Sequence, residues 1–306
     1  MLTTVTLLGL LVATAAAFAI TEHLKLIKSP VFGTEVSNLF SPVCHCPTGT
    51  ARIQIRLRHP DHVTVTIVDS SGNQVAQIAS GVFLPAKRRD HFVWDGRTDA
   101  RTLVPDGIYH PWVHLAHARH TFQFTNNIVV DTKAPKVLSA RAAKPVLFAG
   151  PGQTVAIRYD FSGPAHAVVY LGGRQIILGH SLQERDKVKW TGRLEGRSLR
   201  AGTYVLSVGA QDLAGNATPA SGRKDVTVLV SYIQATPQRI EVRSGRAFRV
   251  HVQTAARRYT WRLGHRHGGR RGRLLRLRAP TTPGTYRLVV TENGHSSTAV
   301  VQVHAG

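Results

Sequence analysis

After residue 50 the apolar positions of this chain recur every second residue. In Arg52-Ile53-Gln54-Ile55-Arg56-Leu57-Arg58, the residues Ile53, Ile55 and Leu57 share one face and the polar residues take the other. His62-Val63-Thr64-Val65-Thr66-Ile67 repeats the alternation. Successive side chains of a strand point to opposite faces, so this period predicts strands with one buried side. The turn Ser70-Ser71-Gly72-Asn73 precedes Gln74-Val75-Ala76-Gln77-Ile78, which predicts a hairpin. Comparable runs cover 154–159, 167–171, 203–208, 225–230, 247–252, 285–290 and 298–303. Turn residues interrupt them every ten or so positions, the spacing of antiparallel sandwiches. The expected fold class is all-β.

An internal repeat divides this pattern. Trp94-Asp95-Gly96-Arg97 leads to Pro105-Asp106-Gly107-Ile108-Tyr109, and Trp190-Thr191-Gly192-Arg193 leads to Arg200-Ala201-Gly202-Thr203-Tyr204. A looser third copy holds Trp261 and Pro283-Gly284-Thr285-Tyr286. Each Trp is expected to end a strand and fill a core, the Gly after it to turn the chain, and the G-x-Y to start the next strand. The repeat-core residues are therefore Trp94, Tyr109, Trp190, Tyr204, Trp261 and Tyr286. Extended runs meet proline at Ala134-Pro135 and at Thr236-Pro237, which places linkers between the copies. The expected domains are 50–134, 135–234 and 235–306, after a stalk at 21–49.

Residues 1–21 carry no charged side chain. As a helix, the first twenty would reach about 30 Å, the depth of a bilayer core. Ala17-Phe18-Ala19 has the small-x-small form of a signal-peptidase site, while the length of the run suits an uncleaved single-pass anchor. Either reading of residues 1–20 sends the chain out of the cytoplasm, with the membrane as a partner in the second.

Residues 50–130 resemble the Ig-like module of the flagellar hook-capping (FlgD-type) proteins. The likeness rests on Val65-Thr66-Ile67-Val68-Asp69-Ser70-Ser71-Gly72, on Trp94-Asp95-Gly96-Arg97 and on Val104-Pro105-Asp106-Gly107-Ile108-Tyr109. It extends to 136–230 through Trp190-Thr191-Gly192, Gly202-Thr203-Tyr204 and the D-x-x-G-N ending Gln211-Asp212-Leu213-Ala214-Gly215-Asn216. The third domain is similar only to a generic bacterial Ig-like sandwich. The resemblance implies three tandem Ig-like sandwiches and a cell-envelope role in spacing, adhesion or assembly. It does not imply hook capping, and fold analogy does not fix function.

Composition sharpens this picture. The 306 residues include 39 Lys and Arg against 17 Asp and Glu, a formal charge of +22. Hydrophobic residues make up 42%, enough for packed cores and too many for a wholly disordered chain. The charge is graded along the chain. Residues 235–306 hold fourteen arginines and two glutamates, more than half of the excess. A nucleic-acid reading of the whole chain loses force, and the last domain becomes the place for anion binding.

The candidate chemistry is sparse. The two cysteines, Cys44 and Cys46, flank His45; they could form a disulfide, contribute to a metal site, or stay free, and export favours oxidation. His110, His114, His117 and His120 gather on one predicted strand and its exit, but His110 and His114 would lie about 13 Å apart on a strand, too far to share a metal. Asp95, Asp99 and Asp106 could offer oxygen to calcium, yet Arg97 and Arg101 stand among them and favour local ion pairs. No nucleophile elbow, H-E-x-x-H or phosphate loop occurs. The reading carries no enzyme, no cofactor and no metal.

The basic segment 257–278 holds nine arginines and no acid, with Tyr259 and Trp261 among them. Guanidinium forks suit phosphates and carboxylates, so Arg257, Arg258, Arg262, Arg266, Arg270, Arg271 and Arg273 form a candidate polyanion site. In an exported protein the partners would be anionic envelope polymers or lipid headgroups rather than nucleic acid. The competing reading is a solvated hairpin whose charges guard a sheet edge. Three functions follow: a non-catalytic structural or adhesive multi-Ig envelope protein, a polyanion-binding module, or accessory domains of an extracellular enzyme complex.

Overall fold

The computed structural model describes residues 9–18 and 29–306. It divides into two compact units, Met1–Thr132 with Leu213–Gly215, and Lys133–Asp212 with Asn216–Gly306. Three separate hydrophobic cores define three sandwiches, one in the first unit and two in the second.

All three share one topology. The first sandwich packs the sheet Val31–Val36, Ala51–Leu57, Asp90–Trp94 against Leu39–Phe40, Ile128–Val130, Gly107–Leu115, Asp61–Asp69, Gln74–Leu84, with His120–Gln123 folded onto Gly107–Leu115. The second packs Val137–Ala142, Val155–Phe161, Arg185–Trp190 against Val146–Phe148, Lys224–Ser231, Gly202–Gln211, His166–Leu171, Arg174–Leu178. The third packs Ile233–Thr236, Ala247–Thr254, Leu274–Arg278 against Arg239–Arg243, His295–His304, Gly284–Glu292, Tyr259–Leu263, Arg266–Arg270.

In each, the opening strand pairs antiparallel in the small sheet. It then crosses and runs parallel to the last strand of the large one. The crossing falls at Ser37-Asn38, Lys144-Pro145 and Pro237-Gln238. A proline there costs no ladder bond, because its missing N–H sits where the chain changes partners. This is the sandwich anticipated from the period-two pattern, in the Ig-like form that the resemblance implies, with the inward residues Ile53, Ile55, Leu57, Val63, Val65 and Ile67 fully buried in the first core.

The N-terminal boundary needs correction. The stalk expected over 21–49 is, from Val31 onward, part of the first sandwich. Val31 is buried and pairs with Leu57, and Phe40 lies edge-on against Trp94 at 5.5 Å between ring centroids. The short strands lacked a long alternating run, and only partner strands far along the chain reveal them. Of the expected leader or anchor, residues 9–18 are helical with exposed side chains, and residues 1–8, 19 and 20 lie outside the described residues, as do 21–28 of the stalk. No helix of the described residues is long and apolar enough to cross a membrane.

The repeat residues fall as follows. Trp94 and Trp190 each end a strand of the small sheet and are almost fully buried. Gly96 and Gly192, two residues on, have φ of +73° and +71°. A Cβ at Gly96 would lie 2.9 Å from Pro42, and one at Gly192 would lie 2.9 Å from Leu147. Glycine is required there twice over, by backbone conformation and by the close approach of the segment that follows the sheet switch. Gly107 and Gly202 of the G-x-Y steps are different. Neither has a positive φ, and a Cβ would meet the Tyr ring at ordinary contact distance. Trp261 is not the third copy of the strand-ending Trp. It sits inside Tyr259–Leu263 on the large sheet, half-buried over Gly268, while the corresponding small-sheet strand ends at Arg278.

Tyr109, Tyr204 and Tyr286 do form one repeated device. Each hydroxyl donates to the carbonyl four residues back, at Pro105 (2.8 Å), Arg200 (2.9 Å) and Thr282 (2.9 Å). The bond ties the loop before the strand to the strand itself, as in the tyrosine corner of Ig-like domains.

Candidate polyanion-binding surface

The third sandwich carries its positive charge entirely outside. All fourteen of its arginines are exposed. Of its two glutamates, Glu292 is buried and accepts a hydrogen bond from Thr254 Oγ1, so Glu241 is its one exposed acid.

The seven predicted arginines do not form one cluster. The strands Tyr259–Leu263 and Arg266–Arg270 make a hairpin in which Tyr259 faces Arg270, Trp261 faces Gly268, and Leu263 faces Arg266. Because Tyr259 and Leu263 point into the core, Arg266 and Arg270 share the inner side of the sheet edge and Arg262 takes the outer side with His267. The Arg258 guanidinium lies over Gly269, which has no side chain to displace it. Arg266 Nη1 donates to the Arg278 carbonyl at 2.9 Å. Arg257, Arg271 and Arg273 sit in connections outside the strands.

Arg262 and Arg258 therefore belong to the outer face of the large sheet. Arg287, Arg239 and Arg243 extend that face, with Glu241 among them. A second basic face lies on the small sheet, and the run 257–278 only hinted at it. There Arg249 stands directly opposite Arg276, and Ala247 opposite Arg278. Like charges facing each other across a strand pair are unfavourable unless something anionic sits between them. Neither Arg249 nor Arg276 forms an ion pair among the described residues. Arg249 was invisible as a site residue because it precedes the basic run by eight positions and only strand pairing joins it to Arg276.

The same face runs through His251 into a cleft of about 860 Å³ within the second unit. The cleft is lined by Lys144, Gln153, His251, Gln253 and Arg273 among others, and by no carboxylate. Gly150 holds one margin tight, since a Cβ there would stand 2.6 Å from that of Ala255.

The other candidates resolve into structural roles. Cys44 and Cys46 are joined by a disulfide in a loop closed by Ser41 N to Thr48 O at 3.0 Å and Gly49 N to Cys46 O at 2.9 Å. Asp99 accepts from Gln77 N at 2.8 Å, Asp106 from Thr132 N and Oγ1, and Asp95 from Arg97 N at 3.1 Å. The three loop carboxylates thus serve separate backbone groups. His110 and His114 alternate outward along Gly107–Leu115, and His114 Nδ1 lies 3.0 Å from Thr121 Oγ1. No group of three His, Cys, Asp or Glu among the described residues could hold a metal ion.

Sequence reasoning missed Asp61. Its carboxylate is buried and accepts backbone N–H bonds from His62, His117 and Ala118 at 2.7–3.1 Å. Burial acts to raise its pKa, but the three donors outweigh it and hold the group below the usual carboxylate range.

Comparison with known proteins finds structural likeness at low identity. No family profile matches the chain, and no curated protein matches it in sequence. The I-band fragment I67–I69 of titin is 11% identical, covering 92% of this chain and all of that one, with a TM-score of 0.28. The fibronectin(III)-like modules of Clostridium thermocellum CbhA are 11% identical over 65% of this chain and 94% of theirs, at 0.36. The N-terminal four Ig domains of Dscam1 isoform 4.4 are 13% identical over 89% and 73%, at 0.20. The chain is built of tandem Ig-like sandwiches.

Proposed function

We propose that this is an exported, membrane-tethered bacterial envelope protein, of the kind that carries FlgD-type Ig-like modules, in which three sandwiches space or present a binding surface and perform no catalysis. The observation that carries this reading is the threefold use of one topology. The same sheet switch and the same tyrosine hydroxyl bond recur in all three sandwiches, and the polar groups of the repeat serve backbone closure. The apolar, uncharged residues 1–20 supply the export signal or anchor. Fractionation of cells expressing the untagged chain tests it. Recovery with membranes or in the medium is expected, and a full-length chain recovered only in the cytoplasm overturns it.

A second reading, that the third sandwich contacts anionic polymers, is favoured by its fourteen exposed arginines against one exposed glutamate. Binding to acidic polymers that weakens steeply with salt is expected. Salt-independent binding, or none, overturns it.

A further inference from the structure

We infer that the third sandwich binds an acidic polysaccharide along its small sheet, with the chain entering the cleft beside Lys144, and that this face rather than the predicted hairpin is the recognition surface. The inference rests on the polyanion reading and gives it a place and a ligand class.

Two features point to this face. First, Arg249 and Arg276 are fixed opposite each other by strand register with no carboxylate between them. A pair held this way costs stability in the free protein and is relieved when a carboxylate or phosphate bridges the two guanidinium forks. The outward positions of the small sheet hold no acid, whereas the large sheet presents Glu241 among its arginines. Second, the track is not open-ended. From Arg278 it passes Arg249 and Arg276, then His251, and reaches the cleft with Lys144 and Arg273. Outward positions on the strand Ala247–Thr254 repeat about every 6.6 Å, so the track from Ala247 to Gln253 extends about 20 Å. A linear polymer with regularly spaced negative groups fits such a line of cations.

The lining chooses among polyanions. Gln153, Thr154, Thr236 and Gln253 bring amides and hydroxyls, which pair with sugar hydroxyls. Phe148 and His251 are the two aromatic rings among the lining residues, too few for a row of stacked bases. The third sandwich exposes no large hydrophobic side chain that could enter a lipid surface.

The test uses the full chain in detergent or as secreted, with polygalacturonate and polyglycerol phosphate as acidic polymers. Dextran, a single-stranded oligonucleotide and anionic vesicles are the comparison probes. The intact protein is expected to bind polygalacturonate and to leave dextran unbound. The double variant Arg249→Thr/Arg276→Thr should lose at least tenfold in affinity, and the slope of log K on log salt should become shallower by about two. Lys144→Gln should lose several-fold more, and Arg258→Thr/Arg262→Thr should stay within twofold of the parent. Thermal melting of each variant verifies folding, since all five positions are exposed. Stronger binding to polyglycerol phosphate than to polygalacturonate would overturn the polysaccharide assignment, since that polymer carries no sugar ring. Equal losses from the two double variants would overturn the inference and leave the polyanion reading standing. Preference for the oligonucleotide or for vesicles would likewise overturn it. Failure of the intact protein to bind any acidic probe would overturn both.

Discussion

The rings of Trp94 and Tyr109 meet edge to face, 5.2 Å between centroids, at the junction of the two sheets of the first sandwich. Trp190 and Tyr204 repeat the contact at 6.2 Å in the second. The third sandwich has no counterpart, because Trp261 lies on the other sheet and Arg278 ends the corresponding strand. Truncating Trp94 to Ala should therefore cost the first sandwich about 3–5 kcal/mol, the range for emptying a buried aromatic site. Trp261→Ala should cost its sandwich clearly less. Denaturant unfolding followed by circular dichroism gives both values.

The two buried Trp residues differ at nitrogen. Trp94 Nε1 donates to the Arg97 carbonyl at 2.9 Å, whereas Trp190 Nε1 has no partner. Trp94→Phe removes a made bond and Trp190→Phe removes an unmet donor. The first should be the more destabilising by about 1 kcal/mol. Equal unfolding midpoint shifts would show that the Trp94 bond adds nothing over the unpaired Trp190 donor.

Gly96→Ala and Gly192→Ala should each destabilise by more than 1 kcal/mol, since both impose a left-handed conformation on a residue with a Cβ and drive it to 2.9 Å from a neighbour. Gly107→Ala and Gly202→Ala should fall well below that, because nothing there demands glycine. Thermal midpoints of the four single variants decide it.

Asp61 carries a pH dependence. Its pKa is lower in the folded chain than in the unfolded one, so the folded state holds fewer protons and is favoured by ionisation. The stabilisation is fully present above the unfolded carboxylate pKa and is lost as pH falls through the folded value. Asp61→Asn should lower stability at pH 7 and flatten its decline below about pH 4. Unfolding midpoints measured from pH 7 to pH 2.5 check both parts.

Tyr109→Phe should cost about 1–2 kcal/mol by leaving the Pro105 carbonyl without its donor. Tyr286→Phe should cost less, since its hydroxyl bond to Thr282 is exposed to water. Chemical denaturation compares the pair.

Much of this architecture was written in local pattern. The alternation at Arg52–Arg58 and at His62–Ile67 marks inward residues, and a strand has only two faces to assign. The Trp-x-Gly step was legible too, because Gly96 and Gly192 follow a large aromatic where a turn is needed. The chain could not announce the strands Val31–Val36 and Leu39–Phe40. Their partners, Ala51–Leu57 and Ile128–Val130, are chosen by burial and ladder pairing rather than by neighbours in sequence. The Trp261 misassignment has the same origin, since spacing counts residues and cannot say which sheet a strand joins.

The candidate site divides along the same line. Composition by itself located most of the excess charge, because fourteen arginines against two glutamates put more than half of it in 235–306. Which guanidinium groups act together was decided by register. The hairpin register, with Leu263 opposite Arg266, sends Arg262 outward and Arg266 to the inner side, and strand pairing brings Arg249, 27 positions away, face to face with Arg276. Sequence determines how much charge a domain carries and which arginines alternate within one strand. The distance between two charges on different strands belongs to the folded sheet, because hydrogen-bonded pairing sets it.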